Sequence, residues 1–261
     1  MEPALDPAVF ARLRRASTAT IQSQLFKRGL RDMFLFGLRP MNPESASFAG
    51  EAYTLRYIPA REDLDVLDVF DDPAHPQRAA VEAVPPGQVL VMDCRQDARA
   101  ASGGNILMTR LQARGVAAMV TDASVRDSPA IAGLELPVYC AGVSATVNLV
   151  LHHAVDVQVP IGCAGVPVYP GDVVVGDAEG VVVVPRHLAE EVSHAAVQQE
   201  ELEEFILGRI QSGQPLRGNY PPDERTLAEF SELHPSAPDV STNGSTPHVQ
   251  IPPENDGKVH L

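Results

Sequence analysis

The spacing of apolar and polar residues changes several times along the first hundred residues, and each change predicts an element. Residues 7–31 carry apolar side chains at helical spacing and predict one or two helices, with Ser17 and Thr18 as N-cap candidates. Phe48–Pro59 alternates apolar and polar residues and predicts a half-buried strand. The acidic stretch 61–78 predicts a short helix followed by a loop, and the apolar run Val89–Asp93 predicts a buried strand.

The next fifty residues alternate between strand and helix patterns. A helix is predicted over 105–114, entered through Gly103 and Gly104 and ended near Gly115. Strands are predicted over 116–121 and 137–139, with a short helix over 128–134 between them. Strand, helix and strand in alternation predict an α/β fold with parallel pairing.

The second half of the chain has a different pattern. Short β-rich runs at 147–160, 166–169, 172–175 and 181–184 are separated by glycines, which predicts a small barrel or a second, mostly antiparallel layer. A long amphipathic helix is predicted over 186–212. We expect one domain over 1–233, and a disordered or loosely docked tail over 234–261, which is rich in proline and has no aromatic residue.

Composition restricts the partners. The 261 residues include 20 basic and 34 acidic side chains, a net charge of −14, so nucleic acid and anionic membrane surfaces are not expected as partners. The N-terminus has acids where a secretory signal carries bases, and no apolar window approaches the roughly 20 residues of a membrane span, so a cytoplasmic protein is expected. Three cysteines, Cys94, Cys140 and Cys163, predict buried apolar side chains, not disulfides or a zinc site.

The strongest candidate for chemistry is the run from Gly103 to Leu107 together with Arg126 and Asp127. Glycines at a strand-to-helix junction allow close backbone approach to a ligand, and the first amides of a helix bind anions. Arginine binds a carboxylate in bidentate fashion, and aspartate is a hard oxygen ligand for Mg²⁺ or Mn²⁺. Taken separately, a Gly-Gly pair is more typical of an ordinary turn, and an Arg-Asp pair of a solvated loop.

Together, the spacing of these residues resembles that of the RraA-like family, which contains class II 4-hydroxy-4-methyl-2-oxoglutarate/4-carboxy-4-hydroxy-2-oxoadipate aldolases and regulators of ribonuclease activity. Gly104-Asn105 is followed by twenty residues and then by Arg126-Asp127, similar to the aldolase motif of an acidic residue, twenty residues and Arg-Asp. Further similar segments are 17–20, 48–54, 113–117, 121–127, 136–139 and 169–185.

The resemblance implies a swivelling β/β/α-type fold with an N-terminal helical segment and a long C-terminal helix. It implies a homo-oligomer, a trimer or a dimer of trimers, with sites between subunits. By the same resemblance, Asp127 binds Mg²⁺ or Mn²⁺ directly, and Arg126 holds a small 2-oxo acid. The amides from Asn105 through Ile106 to Leu107 receive its carboxylate beside Gly104. Glu203 of a neighbouring subunit reaches the metal through water, with Glu200 as the alternative.

The chain departs from the aldolase motif at Asn105, which stands where the aldolases carry an acid and which cannot ionise. Arg126 and Asn105 remain the candidate catalytic residues. Retro-aldol cleavage, decarboxylation or another reaction through an enolate is expected on a 2-oxo di- or tricarboxylic acid, and Asp122 or a helix Glu is a possible replacement base. The alternative is a non-catalytic regulator that binds an RNA-processing enzyme. His152 and His153 are adjacent on a predicted strand and face opposite sides, so at most one could enter a given site, and both are expected to have structural or surface roles.

Overall fold

The computed structural model describes residues 4–234. Its α-helices are α1 (Pro7–Arg15), α2 (Thr18–Lys27), α3 (Pro76–Ala83), α4 (Asn105–Ala113), α5 (Ser128–Ile131), α6 (Ala189–Gln211) and α7 (Glu224–Leu233). Its strands are β1 (Arg39–Pro40), β2 (Phe48–Pro59), β3 (Val89–Asp93), β4 (Ala101–Gly103), β5 (Ala118–Thr121), β6 (Ser124–Val125), β7 (Val138–Cys140), β8 (Gly142–Val143), β9 (His152–Val157), β10 (Val173–Gly176) and β11 (Val181–Val184).

The main sheet has eight strands in the order β1-β7-β5-β3-β2-β10-β11, with β9 also paired to β2. The central pairs β2–β3, β3–β5 and β5–β7 are parallel. Alternate residues of β3 belong to different cores, Val89 and Val91 on one face and Leu90 and Met92 on the other. Because both faces are covered, the strand is an uninterrupted apolar run. The predicted α/β class with parallel pairing is confirmed.

The long strand β2 joins the antiparallel strands to this sheet. Its first residues pair with β10, which forms a hairpin with β11, and its last residues pair with β9. The prediction of antiparallel pairing in the second half is therefore confirmed, but the prediction of a separate barrel or layer is wrong. The predicted run 166–169 forms a single bridge, between Ile161 and Val168. Because β2 is twelve residues long, its first part pairs with β10 and its last part pairs with β9.

The N-terminal helices are held by polar caps. Ser17 ends the break between α1 and α2, and its hydroxyl accepts a hydrogen bond from the Thr20 amide at 3.1 Å, as the N-cap prediction requires. The amide and hydroxyl of Thr18 donate to the carboxylate of Asp177 at 2.7 and 2.9 Å. Asp177 thus fastens α2 to the loop between β10 and β11.

A second, three-stranded sheet carries the functional candidates. Its order is β4-β6-β8, and all of its pairs are parallel. Along the chain, β4 follows β3, β6 follows β5 and β8 follows β7, each after a short break. The buried carboxylate of Asp122 sits in the middle break and accepts hydrogen bonds from the amides of Cys94, Gln96 and Ala164 at 2.6, 2.9 and 3.1 Å. Asp122 therefore fixes the loops that lead into the small sheet.

The chain divides into two compact units, one up to Glu203 and one from Glu204 onward, with the boundary inside α6. In the second unit, Arg209 pairs with Glu229 and donates to Asn219 at 2.6 Å. The predicted domain boundary after residue 233 stays a prediction, because the proposed tail lies outside the described residues apart from His234. Within residues 4–234, no helix has the length and apolarity to cross a membrane.

Candidate active site

The candidate site lies at the carboxyl ends of the small parallel sheet, the edge where ligands bind in open α/β sheets. Gly104 directly follows β4, and Arg126 directly follows β6. Both border a cleft of about 310 Å³. The cleft is lined by Leu67, Phe70, Gln77, Arg78, Ala101, Gly103, Gly104, Ile106, Leu107, Arg126, Asp127, Val147 and Asn148. The structure thus brings together the two halves of the motif that the sequence separates by twenty residues.

Gly104 permits the two halves to touch. It is the N-cap residue of α4, and a Cβ at this position would lie 2.6 Å from Asp127 Oδ2 and 3.0 Å from Arg126 Cγ. The carbonyl of the preceding Gly103 accepts a hydrogen bond from the Arg126 amide at 3.1 Å. A side chain at residue 104 would therefore push the Arg-Asp pair away from the start of α4.

Arg126 and Asp127 form an exposed charged pair at this edge. Arg126 Nε lies 3.5 Å from Asp127 Oδ2, and the two side chains are 44% and 47% exposed. Asp127 has a left-handed backbone conformation, with φ of 59°, and its side chain makes no capping bond to α5. Aspartate and asparagine tolerate that conformation better than most residues. The turn directs the carboxylate toward α4 instead of toward the helix that follows it.

The first turn of α4 supplies the anion-binding amides. The Asn105 amide donates to Asp127 Oδ2 at 3.2 Å, and the Asn105 side-chain oxygen accepts from the Thr109 hydroxyl at 3.3 Å. The amides of Ile106 and Leu107 also belong to this first turn, where amides have no carbonyl partner within the helix. Ile106 is 82% exposed. One helix end therefore offers free donors beside Arg126.

The donor set around Asp127 is compatible with a hard divalent cation. Its carboxylate accepts one amide bond and one long contact from Arg126, which leaves oxygen lone pairs facing the cleft. No group of three or more His, Cys, Asp or Glu side chains suited to a metal occurs within the described part of the chain. Mg²⁺ sites commonly use one or two carboxylates, with water and substrate oxygens completing the shell. Asp127 therefore fits such a site as its protein ligand.

Glu200 and Glu203 lie elsewhere in the same chain and do not line the cleft. Glu200 Oε1 accepts hydrogen bonds from the amide and hydroxyl of Ser17 at 2.9 and 2.8 Å. Glu203 accepts from the Gln199 side chain at 2.7 Å. Their roles as ligands reaching a neighbouring subunit stay predictions. Glu200 already has a structural task, because it fixes the break before α2.

Replacing Glu200 with Gln tests that structural task. Burial raises the pKa of Glu200, but the hydrogen bonds from Ser17 and Thr20 outweigh it and leave the pKa below the ordinary 4.5. The stabilisation is therefore complete above pH 4.5 and is lost as the pH falls through the lowered pKa. We expect E200Q to lower the free energy of unfolding by about 1 kcal/mol at pH 7. The wild-type advantage should shrink at pH 3 in urea denaturation, and equal stabilities at pH 7 would contradict this assignment.

Other candidates have structural positions. Cys94, Cys140 and Cys163 are buried and free, as predicted. His152 is fully buried, and His153 Nδ1 lies 2.7 Å from Asp65 Oδ1. Neither lines the cleft, in agreement with the expected structural or surface roles. Asp122, considered as a replacement base, does not line the cleft, and burial raises its pKa.

Seven of the lining residues were missed by sequence reasoning, and Arg78 and Asn148 are two of them. Arg78 lies in the first turn of α3, and Asn148 lies in a short 3₁₀ turn before β9. Proline at the start of α3 was the available signal that a helix, and not a loop, begins at residue 76. No local pattern marks Asn148, because its place in the cleft depends on how β8 and the following loop return to β4.

Comparison with known proteins shows which proteins this chain is similar to. A family model described as RraA-like, Aldolase/RraA, matches residues 18–183. A protein of Halalkalibacterium halodurans, provisionally named a 4-hydroxy-4-methyl-2-oxoglutarate aldolase, is 32% identical over 163 residues, 62% of this chain and 71% of that protein. Protein DlpA of Legionella pneumophila is 25% identical over 80% of this chain, which spans 33% of DlpA.

A solved structure shares the fold. It is Streptomyces coelicolor RraAS2, described as an unusual member of the RNase ES inhibitor RraA protein family. It is 30% identical, has a TM-score of 0.69, and the match covers 78% of this chain and 98% of RraAS2. The α/β fold with a long C-terminal helix is therefore the fold of its structural neighbours.

Proposed function

Because the chain belongs to the RraA-like family, we propose that it is a divalent-metal-dependent lyase that breaks a carbon–carbon bond in a small 2-oxo di- or tricarboxylic acid. One observation carries the proposal. Arg126, Asp127 and the first-turn amides of α4 border a single cleft at the carboxyl ends of parallel strands. The provisional aldolase name of the H. halodurans relative supports the same class of reaction.

Each of these groups has a distinct role in the proposal. The Arg126 guanidinium and the amides of Ile106 and Leu107 bind and orient the carboxylate of the 2-oxo acid. Asp127 would hold Mg²⁺ or Mn²⁺, which when bound would supply positive charge to stabilise the negative charge that develops on the 2-oxo acid. Gly104 keeps these groups within contact distance of each other. The cation and the arginine also offset the repulsion between an anionic substrate and a protein of net charge −14.

The type of bond cleavage follows from the side chains available to move a proton. Among the described residues that line the cleft, the ionisable ones are Arg78, Arg126 and Asp127. Asn105 cannot accept a proton as a carboxylate would. Loss of CO₂ from a β-carboxylated 2-oxo acid needs no base, and so it is the reaction these residues support best. Retro-aldol cleavage needs a base for the substrate hydroxyl from outside this set.

We further propose that the protein works as a homotrimer or a dimer of trimers. In that assembly Glu203, or alternatively Glu200, of a neighbouring subunit approaches the cation through water. Glu203 is the better candidate, because the hydrogen bond found for it among the described residues comes from the half-buried Gln199 side chain on its own helix. Glu200, in contrast, accepts hydrogen bonds from both the amide and the hydroxyl of Ser17.

A substrate screen distinguishes the two bond cleavages. The metal-stripped protein is incubated with 2-oxo acids that carry a β-carboxylate or a 4-hydroxyl group, with and without Mg²⁺. We expect Mg²⁺-dependent formation of pyruvate or a substituted pyruvate, together with CO₂ from the β-carboxylated acids. A second oxo acid as co-product, without CO₂, would assign retro-aldol cleavage instead. No product from any acid, with or without Mg²⁺, would contradict the lyase proposal.

RraAS2 supports a second candidate, a non-catalytic regulator that binds an RNA-processing enzyme. Asn105 in place of an acid is compatible with this function, whereas the retained Arg126-Asp127 pair favours the enzyme. A regulator would inhibit an RNase E-type endoribonuclease without added Mg²⁺ dependence and would form a stoichiometric complex with it. Turnover of an oxo acid without such a complex in size-exclusion chromatography excludes this candidate.

A further inference from the structure

Arg78 places a second positive charge in the cleft. Its Cζ lies 4.3 Å from the ring centroid of Phe70, so the guanidinium stacks on an aromatic face. The neighbouring Gln77 side chain donates to the Ser102 carbonyl at 2.7 Å and fastens α3 to β4. Among the described residues, Arg78 forms no ion pair with a carboxylate. Its planar fork of N–H donors is therefore held in place and available to a ligand.

The lack of a carboxylate partner for Arg78 contrasts with its surroundings. The segment 61–72, which contributes Leu67 and Phe70 to the cleft wall, contains six acidic residues. One of them, Asp65, contacts His153, and Asp63 pairs with Arg61. Among the described residues that line the cleft, Asp127 is the one acidic residue. Arg78 therefore lies beside an acidic segment without pairing, among the described residues, with any of its carboxylates.

Asn148 adds an unpartnered amide to the same cleft. Its residue is 8% exposed, and its side-chain Nδ2 is buried without a hydrogen-bond acceptor. A buried donor left without a partner costs about 1–3 kcal/mol. A 180° rotation of the Asn148 amide group would exchange the positions of its oxygen and its nitrogen, so the NH₂ group can occupy either position. The neighbouring lining residues Val147, Leu67 and Phe70 are apolar, so this amide is a distinct polar point in the wall.

We infer that Arg78 and Asn148 bind a distal carboxylate carried on C4 of the 2-oxo acid, as in 2-oxoglutarate, which is distinct from a β-carboxylate that leaves as CO₂. This inference rests on the proposed function, in which Arg126 and the α4 amides hold the 2-oxo acid end. The distal carboxylate pairs with the Arg78 guanidinium and accepts a hydrogen bond from the Asn148 amide. A monocarboxylic acid leaves both donors facing an apolar chain, which is why the site discriminates against it.

The test compares two unreactive ligands by calorimetry on the full-length protein with Mg²⁺. 2-Oxoglutarate carries a distal carboxylate and has neither a β-carboxylate nor a 4-hydroxyl group, whereas 2-oxopentanoate has a methyl group at that end. We expect wild type to bind 2-oxoglutarate roughly 10- to 100-fold more tightly, as expected for a charged hydrogen bond. R78M should reduce that ratio to below about threefold by removing this bond. N148L should weaken binding of 2-oxoglutarate and leave 2-oxopentanoate unchanged.

Controls separate this inference from the proposed function. R15M removes an exposed arginine of α1 and should keep the wild-type ratio. Thermal unfolding of R78M and N148L identifies any variant that does not fold. If one of them does not fold, the binding data of the other variant test the inference. The inference is overturned if folded R78M keeps the wild-type ratio of affinities for 2-oxoglutarate and 2-oxopentanoate. It is also overturned if the wild type binds both acids equally or binds neither. The lyase screen is independent of these ligands, so turnover in that screen leaves the proposed function intact when this inference fails.

Discussion

Replacing Asp127 with Asn is expected to reduce Mg²⁺-dependent turnover of the oxo acid by at least about 100-fold. The substitution keeps the shape of the side chain and suits the left-handed backbone at this position. It removes the charge that is proposed to hold the cation and that pairs with Arg126. Folding should therefore be preserved while both metal binding and turnover are lost. Steady-state rates and Mn²⁺ binding followed by electron paramagnetic resonance measure the two effects.

Asp68 provides the matched control for that variant. It is an exposed acid of the segment beside the cleft and is absent from the cleft lining. D68N should keep the wild-type rate and Mn²⁺ affinity, although it changes the net charge by the same amount. Wild-type turnover by D127N would place the metal on other residues and would contradict the role given to Asp127.

Gly104→Ala is expected to have the second-largest effect, through geometry instead of charge. The added methyl group would lie 2.6 Å from Asp127 Oδ2, a separation that real Cβ atoms do not show. The Arg-Asp pair must move, and a displacement of about 1 Å in a catalytic group can cost about 100-fold in rate. Overpacking should also lower the free energy of unfolding by about 1–3 kcal/mol. Rates and urea denaturation of the same preparation separate the two consequences.

Gly133→Ala is the control for the added methyl group. A Cβ there would meet the Ala130 carbonyl oxygen at 3.5 Å, an ordinary contact. The G133A variant should retain wild-type turnover. If G104A keeps full activity, the close approach of α4 to Asp127 is not needed for the reaction.

Elements with strong local patterns were predictable from the sequence. The strands Phe48–Pro59 and Val89–Asp93 were predicted with the bounds that the structure has. The first has alternating apolar and polar residues, which is typical of a strand buried on one face, and the second is an apolar run, which is typical of a strand buried on both faces. The helix beginning at Asn105 was predicted from the glycines before it. The second sheet was missed, because β6 and β8 have two residues each and carry no periodicity.

The candidate site was only partly predictable for the same reason. Twenty residues separate Asn105 from the Arg126-Asp127 pair, and the hydrogen bond between the Asn105 amide and Asp127 depends on two parallel strands ending at one edge. Similarity to a known motif supplied what spacing alone could not. Arg78 reaches the cleft through α3, and its position depends on a side-chain bond between Gln77 and Ser102 that has no sequence signature.

The most direct test of the proposed lyase site is the rate of pyruvate release from oxaloacetate as Mg²⁺ is added to metal-stripped protein. Mg²⁺ alone and Mg²⁺ with D127N are measured in parallel, because the free cation accelerates this decarboxylation by itself. We predict a saturable increase for the wild type that far exceeds both references. A wild-type rate equal to that of Mg²⁺ alone, or equal to that of D127N, at every Mg²⁺ concentration would contradict the assignment of Asp127 and Arg126 as a metal-dependent lyase site.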